Sequence, residues 1–150
     1  LNKELRHGKS KNDTNVIKID KMIQKHGDVS ISEESRLYRK ISYPFRSLKI
    51  KSLSDGIGLE FIDKGFVSAT SSLDRLGTID TGYSGEVRPD TEGVIEIIKA
   101  PDHIKGFDIS SYSKWAYEEE VLLPRNLTFK IIDAYENEDE NISWFKVIIL

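Results

Sequence analysis

Three consecutive carboxylates stand directly before a short apolar run that ends at a proline. The run, Val121–Leu123, is typical of a buried strand, and Pro124 ends it because proline has no backbone N–H to donate. Side chains two residues apart share one face of a strand, so a strand that begins near Glu118 places Glu118 beside Glu120 and turns Glu119 to the other face. Adjacent carboxylates repel each other, which lowers stability unless a function compensates. The stretch is therefore either a solvated strand end or a site that uses two carboxylates together.

The composition of the 150 residues is that of one globular domain, with 38% hydrophobic and 31% charged residues. The formal net charge of −3 argues against nucleic acid bound by bulk electrostatics. No apolar run approaches the length that spans a membrane. There is no cysteine, and the three histidines do not have the spacing of metal ligands. We therefore expect a domain that acts without a metal, a membrane or nucleic acid.

The carboxylates must be positioned by a fold whose helices come first and whose strands follow. Residues 1–8 are predicted to end a helix at Gly8, and a second helix is predicted from Thr14 to Gly27. Strands are predicted in four further stretches, at residues 35–42, 66–70, 93–100 and in the hairpin 126–150 around an acidic turn. Helices followed by runs of strands indicate an α+β domain. We interpret residues 1–150 as a single domain. Because the chain begins at Leu1 inside a helix, we also interpret it as a piece of a longer protein.

Four separated pieces of the chain, in order, resemble one family. They are "LNKELRHG", a helix end; "LYRKIS", a strand with a central arginine; "GFVSATSS", an aromatic-x-Ser-Thr-Ser strand; and "EEEVLLPRN", a Glu-x-Glu strand. Together they resemble the catalytic domain of bacterial mono-ADP-ribosyltransferase toxins, of the actin-modifying binary-toxin and Rho-modifying exoenzyme type. The residues that match functional positions of that family are Asn2, Arg6, Arg39, Phe66, Ser68, Thr70, Glu118 and Glu120.

The resemblance implies a fold of two packed, mainly antiparallel β-sheets with helices on the N-terminal side, and NAD as the substrate. Arg39 and Arg6 would clamp the pyrophosphate, because guanidinium groups bind phosphate oxygens in pairs. Glu120 would oppose the positive charge that develops on the ribose as nicotinamide leaves. Ser68 would hold that carboxylate in place. Asn2, Phe66 and Thr70 are the remaining expected contacts to NAD in these four pieces.

Glu118 is expected to act on the acceptor. In the family a glutamate at this place accompanies arginine acceptors, whereas a glutamine accompanies asparagine acceptors, and a carboxylate matches a guanidinium in two parallel bonds. Glu119 is expected to face solvent.

Two loops beside the site resemble family loops that contact substrates. Residues 108–117 resemble the loop that recognises the acceptor, with Trp115 and Tyr112 as the expected protein contacts. Residues 77–92 resemble the loop over the phosphates, with Arg88, or else Arg75, as a further phosphate contact.

The sequence thus predicts a mono-ADP-ribosyltransferase that modifies a protein side chain, most simply arginine, as a toxin or effector that is secreted or delivered into a target cell. Actin and a small GTPase are the candidate host acceptors. Two alternatives remain, namely an NAD glycohydrolase of the same fold and a non-catalytic module that uses this fold to hold a partner.

Overall fold

The computed structural model describes residues 2–8, 12–73, 92–110, 119–137 and 142–150. Four helices lie in the first part of the chain: α1 (Asn2–Arg6), α2 (Thr14–His26), α3 (Pro44–Leu48) and α4 (Leu53–Gly56). The described strands are β1 (Leu37–Ser42), β2 (Glu60–Asp63), β3 (Val67–Thr70), β4 (Glu92–Lys99), β5 (Phe107–Asp108), β6 (Glu120–Leu123), β7 (Leu127–Asn137) and β8 (Ile142–Ile149). The predicted α+β class is confirmed.

Capping residues and glycines set the ends of the two predicted N-terminal helices. The side chain of Asp13 accepts a hydrogen bond from the backbone N–H of Asn15 at the start of α2. At its other end, the N–H of Gly27 donates to the carbonyl of Ile23 at 2.8 Å. After α1, Gly8 has a φ of 77°, a left-handed conformation that glycine adopts without steric cost. Both helix ends lie where the glycines predicted them.

The strands form one hydrogen-bonded order, β2-β7-β8-β4-β1-β3-β6-β5. Each described pair is antiparallel except β4 with β8, which is parallel. A single registered pair, Tyr38 with Thr70, joins β1 to β3. The predicted mainly antiparallel pairing is confirmed, and the two predicted sheets are segments of five and three strands that meet at this junction.

Both segments contribute to one hydrophobic core. Val67 and Leu123, from the three-stranded segment, belong to the same buried cluster as Ile97 and Phe145, from the five-stranded segment. A second cluster holds the helices against the three-stranded segment; its buried members are Leu5, Val16, Ile23, Phe66 and Phe107. Apolar packing therefore fixes the three-stranded segment from two sides, against the five-stranded segment on one and against α1 and α2 on the other.

Two strands were not predicted as separate elements. β2 is an edge strand that pairs only with β7 among the described strands, and its Ile62 is 62% exposed. β5 has two residues, Phe107 and Asp108, and Asp108 lies in the stretch 108–117 that was expected to be a loop. Edge strands carry a weak apolar pattern because one side has no neighbour to pack against.

Candidate functional site

Ser68 and Glu120 are hydrogen-bonded to each other across adjacent strands. The hydroxyl Oγ of Ser68 donates to Oε1 of Glu120. Strands β3 and β6 pair in a register that sets Thr70 opposite Glu120 and Ser68 opposite Leu122. The structure thus brings together the two residues that were predicted to act as a carboxylate and its positioning hydroxyl.

The alternation of side chains explains why this pair lies away from the core. Val67, Ala69, Val121 and Leu123 are buried in the main apolar cluster. Their neighbours along each strand must point to the other face, and both Ser68 and Glu120 are only half-buried. The apolar residues of β3 and β6 therefore fix the orientation of the polar pair.

Thr70, the third residue of the Ser-Thr-Ser-like strand, is completely buried. Its hydroxyl accepts a hydrogen bond from the backbone N–H of Ser72 at 3.1 Å and donates to the Ser72 carbonyl at 3.4 Å. Any contribution of Thr70 to NAD binding would therefore pass through the backbone of residues 70–72, which it holds at the end of β3.

Arg6 and Arg39 line one cavity of about 510 Å³. Its other described lining residues are Lys40, Ile41, Ser42, Ser47, Leu48, Phe61, Ile62, Asp63, Lys64, Val67, Ile95, Ile97 and Phe129. Most of these side chains are apolar, so two guanidinium groups stand beside an apolar wall. Such a mixture suits a ligand with anionic groups and flat rings.

Arg39 extends from β1 and is partly buried. Burial lowers the pKa of its guanidinium, the charge of Arg6 lowers the pKa further, and Asp63 acts in the opposite direction. Within the described ranges, Arg39 makes no hydrogen bond and no ion pair. A buried cation without a partner is unfavourable, and an anion in the cavity would relieve both the desolvation and the repulsion from Arg6.

Arg6, at the end of α1, connects this cavity to the Ser68 strand. Its Nε donates to Oδ1 of Asp63 at 3.0 Å, and its Nη2 lies 3.4 Å from Oδ2 of the same carboxylate. Nη2 also donates to the backbone carbonyl of Phe66 at 3.2 Å. Because Phe66 is two residues before Ser68, residues 63–68 connect the two guanidinium groups to the hydrogen-bonded pair of Ser68 and Glu120.

Of the expected NAD contacts, Phe66 meets the site through a different group than expected, and the side chain of Asn2 cannot be placed. The ring of Phe66 is 4% exposed and packs in the second apolar cluster, so its carbonyl, not its ring, meets the site. Asn2 is the first residue of α1, and its side chain lies outside the described part of the chain. Glu118, Arg88, Arg75, Tyr112 and Trp115 also lie outside the described residues.

The strand with the carboxylates begins later than predicted. β6 starts at Glu120, and Glu119 has a φ of 51°, in the left-handed region where a strand cannot continue. The regular strand therefore does not include Glu119, and Glu118 lies outside the described residues. Glu119 is exposed, as expected for a solvent-facing charge.

Three charged residues of the cavity were missed in the sequence. Asp63 ends β2 and Lys64 follows it, shortly before the Ser68 strand, and Lys40 follows Arg39 and pairs with Glu92. The available signal was the string "DKGF", where two charges stand next to a predicted site strand. Within the described ranges, no group of three or more His, Cys, Asp or Glu residues could hold a metal ion.

The sequence matches one protein family over almost its whole length. The family model described as "ADP-ribosyltransferase exoenzyme" matches residues 1–148. The chain belongs to this family. It is an NAD-dependent mono-ADP-ribosyltransferase of the bacterial toxin type, as the four sequence pieces predicted, and NAD is the donor of the ADP-ribose in this activity.

Solved structures of bacterial ADP-ribosyltransferases have the same fold. C3stau2 from S. aureus, solved with NAD, is 16% identical, with a TM-score of 0.71 over 100% of this chain and 79% of that chain. The C3 exoenzyme from Clostridium limosum is 18% identical, with a TM-score of 0.68 over 99% and 77%. Vis from Vibrio splendidus, in complex with agmatine, is 14% identical, with a TM-score of 0.60 over 99% and 66%.

No curated protein matches this ADP-ribosyltransferase. In the part of the chain that the structure describes, no helix is long and apolar enough to cross a membrane.

Proposed function

We propose that this ADP-ribosyltransferase modifies an arginine of a target protein, with Arg39 and Arg6 anchoring the NAD pyrophosphate and Glu120 acting at the ribose. The observation that carries the proposal is the pair of guanidinium groups in one cavity, of which Arg39 is partly buried and unpaired among the described residues. A pyrophosphate supplies the anionic oxygens that such a pair requires.

The reaction breaks the bond between the ribose C1′ and the nicotinamide nitrogen. Positive charge develops on the ribose as in glycoside cleavage, and the Glu120 carboxylate, held by the Ser68 hydroxyl, opposes that charge. The hydrogen bond fixes the carboxylate before the reaction begins, so little reorganisation is needed in the transition state. Nicotinamide leaves with the electrons of the broken bond.

An arginine nitrogen of the acceptor then forms the new bond to C1′. A guanidinium is almost always protonated, so it becomes a nucleophile only when a neighbouring base orients it and takes its proton. Glu118, two residues before Glu120, is the group that we assign to this step. The agmatine bound by the structurally similar Vis toxin is a small guanidinium compound, which supports the choice of arginine over other acceptors.

The proposal is tested by incubating the protein with labelled NAD, with and without agmatine, and by locating the modified residue in a target protein by mass spectrometry. Transfer to agmatine and to arginine is expected. Release of free ADP-ribose with no transfer would instead support the NAD glycohydrolase, and neither activity would support a non-catalytic binding module. Actin and small GTPases are the first acceptors to test, in line with action as a toxin delivered into a target cell.

Arg39→Lys is expected to raise the KM for NAD about tenfold with a smaller effect on kcat. Lysine keeps the positive charge but provides one point contact instead of a planar pair of donors, and tenfold corresponds to the loss of roughly one hydrogen bond to a charged group. The measurement is the initial rate of nicotinamide release as a function of NAD concentration.

The control is Arg36→Lys, because Arg36 lies just before β1 and pairs with Glu96 away from the cavity. An unchanged KM for NAD in Arg39→Lys would mean that the pyrophosphate anchor lies elsewhere.

A further inference from the structure

The helix α1 is too short to fix the position of the Arg6 side chain. α1 has five residues and Arg6 is the last of them, whereas isolated helices below about 12 residues are barely stable in water. Leu5 is buried and anchors the backbone of the helix end. The long arginine side chain still needs a partner of its own, since an unrestrained arginine keeps most of its rotamer freedom.

The partner is Asp63, at the end of β2. It contacts one edge of the guanidinium, formed by Nε and Nη2, while Nη2 also donates to the carbonyl of Phe66. Nη1 makes no hydrogen bond to any residue that the structure describes. The two protein contacts thus occupy one edge of Arg6 and leave the Nη1 end for a ligand in the cavity that Arg6 lines.

Asp63 is itself held more firmly than Arg6. Its Oδ1 accepts the backbone N–H of Gly65 at 2.9 Å, its backbone pairs with Leu127 of β7, and its side chain is 17% exposed against 35% for Arg6. The carboxylate therefore has more contacts within the sheet than the arginine, and it restrains the longer and more exposed side chain.

We propose that Asp63 is a positioning residue for NAD binding, which holds Arg6 by its Nε–Nη2 edge so that the Nη1 end meets the pyrophosphate. The inference rests on the proposed role of Arg6 as an anchor of NAD. Asp63 also places a negative charge near Arg39, so its net effect combines two opposing parts. It orients a donor that NAD needs, and it weakens the attraction of the cavity for anions.

Two neutral substitutions of Asp63 separate the positioning of Arg6 from the effect of the negative charge, because both remove that charge. Asp63→Asn keeps an oxygen that can accept from Arg6 Nε and from the N–H of Gly65. Asp63→Ser keeps a hydroxyl that can still accept from Gly65, as serine does in turns, but it is too short to reach Arg6. The ratio of the KM values for NAD of the two variants therefore reports the positioning of Arg6 alone.

The KM for NAD of Asp63→Ser is expected to be about tenfold above that of Asp63→Asn, with kcat values within about threefold of each other, because only the ordering of one long side chain is lost. In an Arg6→Ala background the ratio is expected to fall to about 1, since no side chain remains to be positioned. The measurement is nicotinamide release against NAD concentration, with a melting curve for each variant.

The matched control is Asp20→Ser, which breaks the equivalent contact of Arg125 with Asp20 at a place away from the cavity and should leave the KM unchanged. Should Asp63→Ser fail to fold, Asp63→Thr carries the same expectation with a side chain suited to a strand. A ratio below about twofold, or a tenfold ratio that persists without Arg6, overturns the role of Asp63. An unchanged KM in Arg6→Ala alone overturns instead the proposed role of Arg6.

Discussion

Glu120→Gln is expected to lower NAD hydrolysis and ADP-ribose transfer together, by about 100- to 1,000-fold. The ribose gains positive charge as nicotinamide leaves, and the substitution replaces the opposing carboxylate with a neutral amide of the same shape. Removal of one preorganised electrostatic group has this magnitude in other enzymes. Nicotinamide release without an acceptor and label incorporation into agmatine are measured on the same preparation, at saturating NAD, so that the loss is read in kcat.

The neighbouring residue provides the control. Glu119 is exposed and stands directly before the strand, so Glu119→Gln removes the same charge from the same stretch without touching the pair of Ser68 and Glu120. Its activity is expected to stay within about twofold of the unmodified protein. If Glu120→Gln retained activity within about threefold, the ribose would have to be stabilised by another group.

Ser68→Ala is expected to cause a smaller loss in both activities, of about tenfold, because the carboxylate remains but loses the donor that holds it. The same two assays measure it. A loss as large as that of Glu120→Gln would indicate that Ser68 contacts the substrate itself.

The parts of the site that the sequence predicted correctly are those whose position depends on local pattern. Ser68 and Glu120 each alternate with small or branched apolar residues, and a strand with one buried face must turn the residues between them to the other face. The capped helix α2 and the strand that carries Arg39 follow from equally local signals. Family resemblance then indicated which polar residues among these elements belong together.

The contact between Arg6 and Asp63 could not be predicted in the same way. The two residues are 57 positions apart, and no periodicity relates a helix end to an edge strand that itself was not predicted. Phe66 shows a related limit. An aromatic residue before a site strand suggests a ring contact with the ligand, but Phe66 is buried in the apolar cluster that also holds Leu5, Val16 and Ile23, where apolar area is removed from water.

The conformation of Glu119 is a third case. A φ of 51° is uncommon for a residue with a long side chain, and nothing in a run of three glutamates indicates which of them departs from the strand. β6 therefore begins at Glu120, later than predicted, and the prediction that Glu118 and Glu120 are neighbours on one face stays a prediction because Glu118 lies outside the described residues.

Glu118→Gln is expected to separate the two activities that Glu120→Gln removes together. Hydrolysis of NAD requires the ribose carboxylate but no base for an arginine, because water is plentiful. Transfer to arginine requires a group that orients the guanidinium and takes its proton. Transfer to agmatine is therefore expected to fall by about 100-fold, as for the loss of general-base catalysis, while nicotinamide release without an acceptor stays within about tenfold.

Both rates are measured for Glu118→Gln beside Glu119→Gln, which removes one charge from the same run and should change neither. The comparison with Glu120→Gln then decides which substrate each carboxylate serves. Because removal of a base slows only the step that uses it, transfer must fall at least tenfold further than hydrolysis if Glu118 acts on the acceptor. Equal losses in the two assays would place Glu118 on the NAD side of the reaction, and the assignment of arginine as the acceptor would then lose the residue on which it rests.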